Sequence, residues 1–275
     1  VEVVEYDPAR AGELADLVGR VSGGRPDPDD LRWFYERNPV RPASVLLGVE
    51  DGLLVASVAI TFVRMLLGGE ELEVGMPVRV ATDPAYQGRG IFRQLQQANE
   101  ERVEAMGIRL LLTVPNAAST PVFLRHLGWT ALPGLRLWGR PRVLPARRGA
   151  HQVARFERAS SAVPGEVSRD ADWLNWRFAD SPRPYTALEG DGYAAVGRRG
   201  PVATIGVLEG RPLREAVAAG SGHGVVASPP RRDWTRYARA GFVPTWKTLT
   251  LLGRSLDGRS LPERPHFQLG DLDFL

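Results

Sequence analysis

The sequence has no cysteine in its 275 residues, which excludes disulfide frameworks, thiolate metal sites and a cysteine nucleophile in one step. Its four scattered histidines leave a mixed His/carboxylate site formally open, but no pair has metal-ligand spacing and no metal is expected. Lysine is almost missing: Lys247 is the only one, and arginine carries nearly all the positive charge. No apolar run approaches the roughly 18 residues of a membrane-spanning helix. The start Val1-Glu2-Val3-Val4-Glu5-Tyr6 also lacks the basic-then-apolar order of an export signal. A cytoplasmic protein with no membrane partner is the expectation. Charge of one sign is lacking too, since Lys+Arg 35 against Asp+Glu 32 leaves a formal +3. The densest arginine clusters, Arg140 to Arg148 and Arg198-Arg199, have no interleaved aromatics. They read as solvated surface, and no nucleic-acid partner is expected. The hydrophobic content of 43% suits a chain with a real core, long enough for two units of ordinary size.

The first half alternates strand and helix signals. Val1 to Tyr6 reads as a strand, and Asp7-Pro8 opens a helix that runs to Ser22-Gly23-Gly24. Asp27-Pro28 opens a second helix carrying Leu31, Phe34 and Tyr35, stopped by Pro39. Ser44 to Val49 and Leu53 to Phe62 flank Asp51-Gly52, a two-residue hairpin signal, and Gly68-Gly69 turns the chain into Leu72 to Thr82. There Leu72, Val74, Met76, Val78 and Val80 alternate onto one face. A glycine loop follows, then a helix from about Ile91 to Met106 with Phe92, Leu95, Val103 and Met106 as its apolar stripe, then the apolar strand Leu110 to Val114. Strand, helix and neighbouring strand in this order form a crossover unit with at least one parallel pairing inside a mixed sheet. Ser119 to Leu127 reads as a further helix.

The second half resembles the first. Trp33-Phe34-Tyr35 through Pro39 matches Trp176-Arg177-Phe178 through Pro182, Gly52 matches Gly200, and Gly128-Trp129 through Arg140 matches Gly241-Phe242 through Arg254. The copy is shortened where the first half holds the strand with Val80 and the glycine loop; it keeps a short helix signal at Leu213 to Ala219 and no phosphate loop. The expected division is residues 1–145, able to bind a nucleotide cofactor, and residues 146–275, a copy without that loop. The boundary falls in the proline- and arginine-rich stretch Pro141 to Ala150.

Gln87-Gly88-Arg89-Gly90-Ile91-Phe92 lies between a buried-type strand and a helix. Glycines let the backbone approach an anion, while successive amide N–H groups and the positive helix end attract a diphosphate. The segment resembles the cofactor signature of the Gcn5-related N-acetyltransferases, in which a Gln or Arg, two residues, a Gly, one residue and a Gly or Ala precede a helix. Gln87 and Gly90 match, as does the preceding Thr82-Asp83-Pro84-Ala85-Tyr86, whereas Phe92 stands where the family has its last small residue. A second matching block runs from Val114-Pro115-Asn116-Ala117-Ala118-Ser119 through Phe123 to Gly128-Trp129. The resemblance covers about residues 40 to 140.

The resemblance implies an α/β fold of mixed sheet built as two tandem acyl-CoA N-acyltransferase-like units, the second truncated. It also implies an acyltransferase that moves the acetyl group of acetyl-CoA to a primary amine by direct attack. The expected cofactor residues are Val80, Ala81 and Thr82 pairing with pantetheine, the loop Gln87, Gly88, Arg89, Gly90, Ile91 and Phe92, and Asn116 and Ser119 beside the pantetheine arm. For Asn116 and Ser119 turn formation and helix capping are the plain alternatives. Phe92 either points back into the core or alters the loop. The family's base and acid positions correspond to Met76 and Leu124, which cannot handle protons. Glu73, on the opposite pleat face from Met76, is the substitute candidate base, with a chain-terminal carboxylate from Asp271 to Leu275 as another and His126 as a further titrating group. The expected acceptor is a small-molecule amine and the expected assembly a monomer or homodimer. A non-catalytic acyl-CoA-binding module of the same fold is the alternative.

Overall fold

The computed structural model describes residues 1–141, 151–157, 163–220 and 223–272. In chain order it has β1 (Glu2–Glu5), α1 (Ala11–Ser22), α2 (Pro28–Glu36), β2 (Ser44–Glu50), β3 (Leu53–Leu67), β4 (Glu70–Thr82), α3 (Ile91–Ala105), β5 (Leu110–Thr113), α4 (Thr120–His126) and β6 (Thr130–Pro141). There follow β7 (His151–Val153), β8 (Val167–Ser168), α5 (Ala171–Leu174), β9 (Thr186–Gly190), β10 (Gly192–Arg199), β11 (Val202–Gly210), α6 (Leu213–Ala219), β12 (Gly224–Ala227), α7 (Trp234–Arg239) and β13 (Val243–Ser255). Packing divides them into two compact units, residues 1–64, 73–132 and 251–261, and residues 65–72, 133–250 and 262–275. The boundary expected between residues 145 and 146 lies outside the described residues.

The first unit is a mixed α/β layer with strand order β1-β2-β3-β4-β5-β13. Asp51 and Gly52 have φ of 52° and 77°, the two positive values that a tight turn between right-twisted strands requires. β1–β2 and β2–β3 pair antiparallel, β4–β5 parallel around the crossover helix α3, and the end of β13 pairs antiparallel with β5. Leu95 and Val103 face inward from α3, toward Leu46 and Val55 on one side and Leu111, Phe123, Trp129 and Leu252 on the other. Met106, expected on that stripe, lies just past the helix and is exposed, because α3 ends at Ala105.

The second unit has strand order β7-β9-β10-β11-β12-β6. Its pairings repeat those of the first: antiparallel from β7 to β11, parallel between β11 and β12 with α6 between them, and antiparallel between β12 and β6. The link from β11 to α6 holds Arg211-Pro212, with no glycine loop of the Gln87–Gly90 kind. Ile205, Val196, Leu213, Val225 and Phe242 form its core. Arg177, aligned in sequence with Phe34, is fully buried, and its Nε and Nη2 donate to the carbonyls of Gly270 and Leu272 at 2.8 and 2.9 Å.

His266 in this unit sets a pH dependence. Its Nε2 lies 3.1 Å from the Ser228 carbonyl, so Nε2 carries the donated proton in the neutral ring. Burial pulls its pKa from 6.5 down to about 4. The folded-state value is depressed, so between those two values only the unfolded chain binds the proton, and stability is lost as pH falls through the window. The full shift corresponds to about 3 kcal/mol, and partial exposure of the ring makes about 1–3 kcal/mol the expected loss. His266→Gln, which keeps a donor for Ser228, should flatten denaturant-measured stability between pH 4 and 6.5; an unchanged slope would reject this origin.

Candidate functional site

Beyond Gly75 the two parallel strands of the first unit separate. Their register pairs Val74 with Leu110 and Gly75 with Leu111, and the next link is a side-chain bond in which Thr113 Oγ1 donates to the Pro77 carbonyl at 2.8 Å. Pro77, without an N–H, sits where the ladder ends. Arg79 then takes φ of 48°, a left-handed value unfavourable for a residue with a Cβ. Its guanidinium lies 4.1 Å from the Phe34 ring centroid of α2, so tertiary contacts hold the kink. The backbone from Val80 to Thr82, the end of β4, thus parts from β5 on the wall of a groove of about 650 Å³ lined also by residues 87–93, Asn116, Ser119 and His126.

The turn after β4 is tied down from several directions. Asp83 accepts from the Ala85 N–H at 3.0 Å, and Arg20 Nε donates to its Oδ2 at 2.7 Å. The Arg20 bond, with that from Ala85, holds the Asp83 carboxyl below its usual pKa. Gln87 Nε2 donates to the Thr82 carbonyl at 3.1 Å, which fastens the loop to the strand. Arg89 reaches away to Glu50 at 2.6 Å and lies over the Tyr86 ring. The Arg89 bond lowers the Glu50 carboxyl pKa.

Gly88 and Gly90 both have φ of 77°, and Gly90 is the cap of the 15-residue α3 with no side-chain capping bond. The first N–H groups of a helix have no intrahelical acceptor. The loop therefore presents a run of main-chain donors at the positive end of a long helix. No carboxylate lines the groove, while Arg89, Arg93 and His126 do. This donor set fits a diphosphate.

The expected residues divide into those at the groove and those away from it. Val80, Thr82, Gln87, Gly88, Arg89, Gly90, Ile91, Phe92, Asn116 and Ser119 all line it, whereas Ala81 is buried, as pleat alternation requires. Phe92 turns its ring against Phe123 at a centroid distance of 5.5 Å, and Phe123 packs on Trp129 at 4.8 Å; of its two readings the inward one is adopted. Asn116 Oδ1 accepts from the N–H groups of Ala118 and Ser119 at 3.0 and 2.9 Å. This is the turn-forming role, and it leaves the Asn116 amide NH2 without a protein partner among the described residues. Ser119 makes no side-chain cap to α4.

Glu73 is elsewhere. It lies near the start of β4, nine positions before Thr82, roughly 30 Å along an extended strand, and pairs with Arg41 at 2.7 Å. Met76 is buried in the core, Leu124 is exposed on α4, and His126 is exposed at the groove. Asp271 is buried against Arg169, and residues 273–275 lie outside the described residues. Pattern reading missed the Arg79 kink and the Arg20–Asp83 tie; a non-glycine left-handed residue and an ion pair across 63 positions have no local signature.

Residues 5–132 match the acetyltransferase (GNAT) domain family. The match spans somewhat less than half of the chain, and it makes the segment 5–132 similar to the Gcn5-related N-acetyltransferase superfamily. Solved structures agree in fold. A Gcn5-related N-acetyltransferase from Kribbella flavida is 17% identical with a TM-score of 0.65, covering 93% of this chain and 71% of its own. One from Anabaena variabilis is 11% identical with a TM-score of 0.67 and coverages of 93% and 73%. One from Sphaerobacter thermophilus is 15% identical with a TM-score of 0.54 and coverages of 94% and 97%. No curated protein sequence matches this chain. The family uses acetyl-CoA as co-substrate, and its acetyltransferase chemistry accords with the uncapped donor loop. Among the described residues no group of His, Cys, Asp and Glu could hold a metal ion, and no helix is long and apolar enough to cross a membrane.

Proposed function

We propose that the first unit of this protein binds acetyl-CoA and transfers its acetyl group to a primary amine of a small molecule in the cytoplasm. The second unit is then a degenerate copy of the first. The uncapped N–H run from Gly88 into α3, facing a groove without carboxylates, is the observation that supports the reading most. Those donors would hold the diphosphate. The backbone of Val80 to Thr82 would pair with the pantetheine amides as an added strand does, and the free Asn116 amide would donate to the same arm. The coenzyme supplies an activated thioester. The Val80 N–H, just after the Arg79 kink, would polarise its carbonyl. No side chain among the described groove residues is a carboxylate able to take the ammonium proton, and this favours two further possibilities to be separated by experiment: an amine that arrives neutral, with Glu73 uninvolved, or a module that binds acyl-CoA without turnover.

The test uses the absence of protein thiol. Purified protein with acetyl-CoA and a panel of amino sugars and amino-acid derivatives should release free CoA, read by a thiol-reactive dye, at a rate that rises with pH as the amine deprotonates. Glu73→Gln should leave the maximal rate within about twofold, whereas loss of about 100-fold, the usual worth of a general base, would restore Glu73 as the base. Binding of acetyl-CoA with no release for any amine would establish the non-catalytic alternative. Acetylation confined to a protein lysine or amino terminus would reject the small-molecule acceptor.

A further inference from the structure

The second unit carries its own cleft, of about 600 Å³, between the start of β6, the segment before β8, residues 229–234 and residues 264–266. Its charged lining is four arginines, Arg136, Arg231, Arg232 and Arg264, against the single carboxylate Glu166, with His266 beside them. Glu166 is already committed: Arg232 grips both its oxygens, and the pair lies at the cleft with the carboxylate buried and the arginine half-exposed. The other three arginines have no acidic partner among the described residues, so the cleft keeps a surplus of positive charge.

Each of the three is held or left in a way that keeps donors available. Arg231 lies over the Trp234 ring at 5.3 Å from the centroid, and stacking an arginine by its face leaves the N–H groups of its edge to bind an oxyanion. Arg136 spends one donor on the Thr245 carbonyl at 2.8 Å, which fixes the side chain and leaves the rest of its fork. Arg264 makes no side-chain hydrogen bond among the described residues. Trp234 is anchored by donating from Nε1 to the Pro229 carbonyl at 3.2 Å. Pro229, Pro230 and Pro265 line the same cleft and restrict its backbone before any ligand arrives, which lowers the ordering cost of binding. A merely solvated arginine surface would not need an aromatic platform, a backbone tether and a proline-stiffened concavity around the same point.

We infer that this cleft binds a small molecule through a phosphoryl or carboxylate group, with Arg231 and Arg264 as the principal donors, Arg136 as a third, and the Arg232–Glu166 pair as its fixed floor. This does not depend on the acetyl-transfer reading, because every lining residue belongs to the second unit.

Calorimetric titration of the full chain with inorganic phosphate and, separately, citrate at about 150 mM salt tests it, since ordinary surface charges are largely screened there. Wild type should bind at least one of the two, and which one identifies the head group. Arg231→Gln together with Arg264→Gln should weaken that binding at least tenfold, Arg136→Gln alone by a few-fold, and the loop variant Gly90→Glu not at all. Both arginines of the double variant are exposed, and an unchanged unfolding midpoint would show that the fold survives. No binding of either anion by wild type, or binding lost in Gly90→Glu and kept in the double arginine variant, would overturn the assignment.

Discussion

Replacing Gly90 by glutamate is expected to weaken acetyl-CoA binding by at least about 100-fold, or about 2.7 kcal/mol, while the protein stays folded. Two physical effects add at one position. Gly90 has φ of 77°, so any side chain brings a strain of roughly 1–2 kcal/mol. A carboxylate there also satisfies the open N–H groups of α3 as an anionic cap, placing a fixed negative charge where the diphosphate must go. Packing is not disturbed, since a Cβ at Gly88 or Gly90 would meet nothing within 4 Å. Gly90→Ala separates the effects: it has the strain without the charge and should keep affinity within about tenfold. Titration calorimetry with acetyl-CoA, alongside denaturation of each variant, reads both. Wild-type affinity in both Gly88→Glu and Gly90→Glu would remove the loop from the coenzyme site and with it the basis of the acetyl-transfer reading.

That loop was legible because its signal is local. Glycines with positive φ, a strand before them and an amphipathic helix after them all lie within about twenty residues, and hairpins such as Asp51-Gly52 are legible for the same reason. A pairing order recurs between the two units, but no local signal indicates that β13 supplies the closing strand beside β5 while β6 pairs with β12. Strand partners more than eighty residues apart leave no pattern in either segment. Arg79 shows the same limit at a single residue: its left-handed backbone is disfavoured by its own identity and is held by Phe34, which only the folded chain places there. Asn116 was ambiguous for a different reason. The turn uses only its side-chain carbonyl, and a turn signature in sequence says nothing about the amide.

Breaking the Arg169–Asp271 pair should have the largest effect on stability. Both side chains are almost completely buried, at 2% and 0% exposure. Arg169 Nε donates to Asp271 Oδ1 at 2.7 Å, a second bond joins Nη2 to Oδ2, and the Gln268 N–H donates to Oδ2 at 2.7 Å. Burial alone would lower the arginine pKa, but the Asp271 charge and hydrogen bonds outweigh it and raise it, so the buried guanidinium depends on its partner for compensation. Asp271→Ala or Arg169→Met strands one charge in the interior and should cost about 3–5 kcal/mol, a large part of the roughly 5–15 kcal/mol that keeps a domain folded. Arg169→Met combined with Asp271→Leu removes both charges and fills the space with apolar atoms, so it should lie closer to wild type than either single variant in chemical denaturation. If the losses simply add, the two side chains are not coupled and their burial has another cause. The same bonds bear on catalysis: the Asp271 side chain is fully buried and held by a guanidinium and a main-chain N–H, so an incoming amine cannot reach it, and its bonds are those of a structural anchor.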